Sequence, residues 1–249
     1  MKMRTYKTSE IAKKFGIHSN TVRLYEALEL IPPAKRKENG YRVFTDAHIE
    51  QIKLARIALE VEVLQNGLRK QAVEIIKTSA KGSFEKAIKM TNQYLRQIKA
   101  EQRHAEEALE IVEVLLSGEV YESSERVLTR KETAETLEIT IDALRNWEMN
   151  GLLTVRRRQN GYRVYGIEEM RRLKIIRALR CANYSLSSIL RMLNTLTKNP
   201  EANIREVIDT PVENEDMISV CDKLISSLNY AEKNAHRLLN QLQKMKKIE

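Results

Sequence analysis

The sequence predicts an all-α fold with small β wings: two winged helix-turn-helix domains, each followed by a long helix, the two long helices pairing as an antiparallel coiled coil. Three observations carry that expectation. A block near the N-terminus recurs near the middle of the chain, each copy holds an Asn-Gly turn beside a basic run, and each is followed by a sustained heptad pattern. Composition agrees, because glycine and proline are scarce (8 and 4) and only 5% of residues are aromatic, which favours helix over extended sheet.

The repeat starts at Lys7 (KTSEIAKKFGIHSNTVRLYEALELIPPAKRKENGYRVF) and returns at Thr129 (TRKETAETLEITIDALRNWEMNGLLTVRRRQNGYRVY). Ala12, Ile17, Arg23, Glu26 and Leu30 match Ala134, Ile139, Arg145, Glu148 and Leu152 at an offset of 122. Asn39-Gly40-Tyr41-Arg42-Val43 matches Asn160-Gly161-Tyr162-Arg163-Val164 at 121, so one residue is lost in the intervening loop, where length changes are tolerated. A first short helix holds Ile11, Ala12 and Phe15 and ends at Gly16, a natural left-handed cap. In the second copy Thr129 and Glu132 form a capping-box pattern. After a tight turn, a second helix puts Val22, Tyr25 and Leu28 on one side, or Leu144, Trp147 and, less clearly, Ile141. Two such helices make a helix-turn-helix. A two-residue Asn-Gly hairpin is then expected to project a basic wing, because both of its positions tolerate positive φ. Helices follow over residues 46–64 and 168–181, with short helices running to about Thr78 and Thr197.

The long helices are expected over residues 84–116 and 217–245. The first seam is Phe84, Ile88, Thr91, Leu95, Ile98, Gln102, Ala105, Leu109, Val112 and Leu116; the second is Met217, Cys221, Leu224, Leu228, Ala231, Ala235, Leu238, Leu242 and Met245. Helices of this length, on the order of 45 Å, need a partner for such a stripe. The link from Ser117 to Arg126 reaches at most about 33 Å, a local hop and not a return along a coil. The expected partition is therefore domain 1 over 1–82, long helix 83–117, linker 118–126, domain 2 over 127–212 and long helix 213–249. Pairing within one chain is favoured by tethering, with a domain-swapped dimer as the rival. The stretch 199–216 has no equally long counterpart in the first copy; a short helix, Ile204 to Ile208, is expected to prop domain 2 or to line a small-molecule groove.

Charge divides the chain sharply. Residues 1–58 hold 12 Lys/Arg against 6 Asp/Glu, and residues 127–180 hold 12 against 7, so these blocks carry the whole of the net +9. Two basic blocks suit a polyanion touched at two points, although many soluble proteins are mildly basic. Cys181 and Cys221 form no CxxC pattern, and His18, His48, His104 and His236 show no clustered spacing, so no metal or other cofactor is expected. Without a signal core or an apolar run long enough to span a bilayer, the expectation is a cytoplasmic protein with no membrane association. No phosphate loop, triad pattern or carboxylate pair stands out, so an enzyme is not expected.

Arg23-Leu24-Tyr25-Glu26 followed by Asn39-Gly40-Tyr41-Arg42, and again Arg145-Asn146-Trp147-Glu148 followed by Asn160-Gly161-Tyr162-Arg163, resemble the signature of the MerR family of bacterial transcription regulators. The two matches cover more than half of the chain. The chain departs from the family pattern at His18 and Thr140 (often Ser), Asn20 and Asp142 (often basic), and Leu24 and Asn146 (often Tyr), positions that bear on DNA sequence preference. Metal-sensing relatives carry cysteines near the start of the long helix and in a loop beyond its end, a set absent here, and the ligand-binding domain that some relatives append after the long helix is not expected. The resemblance implies antiparallel pairing of long helices and a sequence-specific regulator of double-stranded DNA. Its recognition helices would enter successive major grooves, and it would bend or untwist a promoter spacer for RNA polymerase. A single chain would then act as a pseudo-dimer on an imperfect palindrome, with a small-molecule effector left open. The alternatives are an architectural or recombination-accessory DNA-binding role, or a protein scaffold built on the coil.

On that resemblance the candidate DNA-binding residues are Asn20, Thr21, Arg23, Tyr25, Lys35, Arg36, Lys37, Tyr41 and Arg42 in the first copy, and Asp142, Arg145, Trp147, Arg156, Arg157, Arg158, Tyr162 and Arg163 in the second. Arg23 and Arg145 are expected at phosphate or a base edge, against a surface salt bridge with a nearby glutamate. Asn20 and Thr21 are candidates for base reading; Asp142 is expected either to accept from cytosine or to cap its helix. Tyr25 and Trp147 are expected in the module core with an edge toward phosphate. The wing cations are expected at phosphates or the minor groove, against a solvated charge run. Tyr41 and Tyr162 are expected to pack the wing onto the helices.

Overall fold

In the computed structural model, residues 4–60, 67–117, 127–157, 161–210 and 223–248 are described. Arg158, Asn160, Met217, Cys221 and the linker 118–126 lie outside them. The elements run β1 (Thr5–Tyr6), α1 (Thr8–Phe15), α2 (Ser19–Ala27), β2 (Lys35–Arg36), β3 (Arg42–Thr45), α3 (Asp46–Leu59), α4 (Leu68–Ala80) and α5 (Phe84–Ser117). The second series is β4 (Leu128–Thr129), α6 (Arg130–Thr136), α7 (Ile141–Met149), β5 (Arg156–Arg157), β6 (Arg163–Tyr165), α8 (Ile167–Cys181), α9 (Leu186–Lys198), α10 (Ile204–Asp209) and α11 (Leu224–Ile248). The expected class holds: helices dominate, and the strands form two small antiparallel sheets, ordered β1-β3-β2 and β4-β6-β5. No helix among the described residues is long and apolar enough to cross a membrane.

The chain resolves into two compact units, one of Met1–Ala100 with Leu228–Glu249 and one of Glu101–Ser227. In the first, Ile11, Ala12, Val22, Ile31, Phe44, Ile49 and Ile52 form a core between α1, α2, the sheet and α3. Buried Gln51 closes the next layer. Its amide nitrogen donates to the carbonyls of Leu30 and Ile76, and its oxygen accepts from Ser79, so no part of that amide is left unpaired. The N-terminal part of α5 lies antiparallel to the C-terminal part of α11, since Glu85 pairs with Lys246 at 2.6 Å and Lys99 with Glu232 at 3.4 Å. Within this unit the seams read from the sequence are buried at Thr91, Leu95 and Ile98 on α5 and at Leu228, Ala231, Ala235, Leu238, Leu242 and Met245 on α11, while Phe84 and Ile88 are half-buried.

The second unit repeats the plan. Leu144, Trp147, Leu152, Tyr165, Leu173 and Ile176 are buried in its head. The expected short helix is α10, and its contacts are structural. Arg191 donates to the carbonyls of Val207 and Ile208, and Arg205 pairs with Glu106 and Glu113 of α5. Asp209 accepts from the backbone N–H groups of Ile225 and Ser226, capping the start of α11 from outside that helix.

Three local expectations change. Leu28 and Ile141 are about half exposed, at 48% and 47%; Leu28 is the cap residue just past α2, and Ile141 is the first residue of α7. The first wing turn is a three-residue loop, not a two-residue one. Lys37 N–H bonds to Tyr41 O, Gly40 N–H bonds to Lys37 O, and only Gly40 has positive φ, at 78°. That is a type I turn followed by a left-handed glycine, the next most common way to close a hairpin.

Candidate nucleic-acid interface

In each head the candidate interface comprises the second helix of the helix-turn-helix, α2 or α7, which is the candidate recognition helix, and the wing that follows. His18 and Thr140 start these helices: His18 Nδ1 accepts from Asn20 N–H at 3.2 Å and Thr140 Oγ1 from Ala143 N–H at 3.0 Å. Thr140 thus takes the capping role considered for Asp142, which stays exposed in the first turn, where the helix dipole favours an acid. The capping box read at Thr129 and Glu132 is present, with reciprocal bonds of 2.8 and 3.3 Å.

Arg23 is exposed, and its guanidinium donates to the Asn20 side-chain oxygen at 3.2 Å. It therefore forms no salt bridge with a glutamate among the described residues, and two candidate reading residues are coupled to each other. Arg145 is exposed and has no hydrogen-bond or ion-pair partner among the described residues. Thr21 and Tyr25 are half-buried, and Trp147 is buried at 6% exposure. Lys35, Arg36, Lys37, Arg156 and Arg157 are exposed on the wing strands and turns. Tyr41 and Tyr162 do not pack the wing down as expected: they are 71% and 73% exposed. Each directly follows the wing glycine, Gly40 or Gly161.

Arg42 and Arg163 differ from the other wing cations. Arg42 Nε donates to Glu26 at 2.5 Å, and the other oxygen of Glu26 accepts from Ala34 N–H at 3.0 Å. Burial alone would raise the Glu26 carboxyl, but these bonds outweigh it and hold it below the usual range. In the second head Glu148 gathers more. Arg163 approaches to 2.8 Å and Arg130 to 2.9 Å, and the Tyr165 hydroxyl donates to it. Burial first, then that bond to a carboxylate, pushes the Tyr165 hydroxyl up to about 12. Each recognition helix is thus tied by a glutamate to its own wing. Glu26, Glu148, Arg130 and Tyr165 were not among the predicted site residues. The repeat itself holds the signal, since both glutamates and both wing arginines recur in register.

Two stretches match family models. One described as "MerR HTH family regulatory protein" covers residues 128–196, and one described as "MerR family regulatory protein" covers residues 7–44. The HTH-type transcriptional regulator CueR of Yersinia pestis is 45% identical over 53 residues, 21% of this chain and 38% of that protein. The chain thus spans well under half the length of the CueR relatives it matches. The uncharacterized HTH-type transcriptional regulator YyaN of Bacillus subtilis (strain 168) is 30% identical over 117 residues, 43% of this chain and 85% of that protein. A solved structure of HiNmlR, described as a MerR family regulator lacking the sensor domain and bound to promoter DNA, aligns at 21% identity with a TM-score of 0.31. It covers 56% of this chain and 99% of that one.

Proposed function

The chain belongs to the MerR family of regulatory proteins, and from that premise we propose that it is a double-stranded DNA-binding transcription regulator whose two unlike heads act as a single-chain pseudo-dimer. One observation supports this most directly: each recognition helix is locked to a basic wing by a glutamate, Glu26 to Arg42 and Glu148 to Arg163. Positioning groups that hold exposed cations around a groove-sized helix are what phosphate and base contacts require. Within this reading Asn20, Thr21, Arg23, Arg145 and the exposed wing cations touch DNA, while Arg42 and Arg163 set the wing angle.

The heads differ where bases would be read, Asn20-Thr21 against Asp142-Ala143, so the preferred site is an imperfect palindrome taken by one chain. It lies in a promoter spacer that the protein bends or untwists for polymerase. The test is selection of bound genomic fragments, followed by footprinting and the mass of the complex. One chain per asymmetric site, with hypersensitive cleavage at the centre, supports the proposal; two chains on a perfect palindrome sink it. Arg23→Ala and Arg145→Ala are each expected to weaken binding and to lower the slope of log affinity against log salt by about 1.

A further inference from the structure

Glu50 on α3 and Arg171 on α8 occupy the same position in the two copies, five residues into the helix after the wing, and carry opposite charge. Both sit where a long helix docks on a head. In the first unit the Glu50 carboxylate accepts from Gln241 at 2.8 Å and Lys244 at 2.9 Å, and its main-chain carbonyl accepts from Gln241 at 3.1 Å. In the second unit Arg171 donates through Nε to the carbonyl of Leu115 at 2.8 Å, and its Nη2 to that of Leu116. Those carbonyls belong to the last turn of α5, whose final four C=O groups have no partner within the helix and carry its negative dipole end. The first head therefore presents an acceptor to a donor-bearing stretch of α11, and the second presents a donor to the acceptor-bearing end of α5.

We propose that Glu50 and Arg171 are specificity-determining residues that decide which long helix docks on which head, so that α5 pairs with α11 and neither pairs with its own kind. The proposal deepens the pseudo-dimer reading and rests on it. If α5 paired with α5 of a second copy, Glu50 would face the Leu115 and Leu116 carbonyls, acceptor against acceptor. If α11 paired with α11, Arg171 would face Lys244, cation against cation. Each symmetric assembly is penalised at one of these two positions, α5 with α5 at Glu50 and α11 with α11 at Arg171, and the mixed pairing satisfies both. A preference between assemblies needs a repulsive element in the wrong one as well as an attractive one in the right one.

The full-length protein tests this. With Cys181 and Cys221 replaced by serine, Glu85→Cys and Lys246→Cys are introduced together and treated with a short bismaleimide, whose reach replaces that of the two long side chains that meet across the mixed pair. A cross-link is expected, and its failure to form while each single cysteine still reacts with a monomaleimide overturns the proposal. Whether the link lies within one chain or between two reports separately on the single-chain reading, since an interchain link would sink that reading and leave the pairing rule standing. In parallel, Glu50→Arg gives the first head a donor like that of the second. Sedimentation is expected to show its mass rising with concentration toward that of two chains, whereas Glu50→Ala, which loses the anchor without gaining a donor, stays as the parent. Equal masses for the two variants overturn the proposal. Should Glu50→Arg not fold, Glu50→Arg with Lys244→Glu restores a pair of reversed sign. Recovery of helix content and of amide protection over residues 241–248 supports the assignment, and no recovery overturns it.

Discussion

At the residue scale the two heads solve the same problem with different density. Glu148 is 8% exposed and serves Arg130, Arg163 and Tyr165, whereas Glu26 is 15% exposed and serves Arg42 and one backbone N–H. Removing the charge at Glu148 leaves two guanidiniums facing each other without an anion. Glu148→Gln is therefore expected to cost about 2 kcal/mol, and Glu26→Gln about 1 kcal/mol, by denaturant unfolding; the reverse order would contradict this account of the clusters. Backbone strain is divided in the same unequal way. Glu29 holds φ 58° where the second copy has Gly151 at 76°, and Glu138 holds φ 49° where the first copy has Gly16 at 62°. A left-handed conformation costs a non-glycine residue on the order of 1–2 kcal/mol. Among the described residues the Glu29 side chain makes only a 3.4 Å surface pair with Lys81, so Glu29→Gly is expected to raise stability by about 0.5–1 kcal/mol, read as a higher unfolding midpoint. Which copy carries glycine at each turn is visible in the sequence; that the other copy adopts the same turn regardless is known only once the backbone is seen.

At the element scale the long helices are the most legible feature, because a stripe repeated over many turns averages out local exceptions. Short helices give less. Leu28 and Ile141 fit an apolar pattern, yet Leu28 is the C-cap of α2 and Ile141 the first residue of α7, where few neighbours remain to cover a side chain. The docking of α11 on α3 shows no periodicity at all, since it depends on Glu50 meeting Gln241 and Lys244 from almost the far end of the chain. Burial acts to raise the Glu50 carboxyl, but bonds from Lys53, Gln241 and Lys244 outweigh it and hold it at about 2. A carboxyl held low in the folded state stabilises the fold fully above its ordinary value of 4.5, and that contribution drains away as pH falls from there toward 2. Thermal melts between pH 5 and pH 2 should show the wild type losing stability through this window, with Glu50→Gln less stable at pH 5 and flatter below it. Parallel curves would remove Glu50 as the cause.

At the scale of the whole molecule, two winged heads were legible from the repeat, but the composition of the compact units was not. Local pattern marks where an element begins and ends, whereas membership of a unit depends on contacts between distant residues. The first unit draws on both ends of the chain, and the second is one continuous stretch. A chain cut after Ser227 keeps every residue of the first wing and helix-turn-helix, yet loses the cover over Thr91, Leu95 and Ile98 and the ion pairs at Glu50, Glu60 and Glu85. It is expected to lose cooperative unfolding of the first unit, with faster amide exchange along residues 87–100. Unchanged protection there would show that the unit does not need its distant segment.

That discontinuity sets an order of events at the ribosome. The unit over residues 101–227 has all of its pieces in hand by the time Ser227 has emerged, whereas the unit that begins at residue 1 waits for residues 228–249 before its longest helix is covered. The nascent polypeptide thus matures out of sequence, with an oily strip of the early unit bare until residues 228–249 have emerged. Slow translation of that stretch would prolong the interval in which chaperones, or another unfinished copy, can reach it.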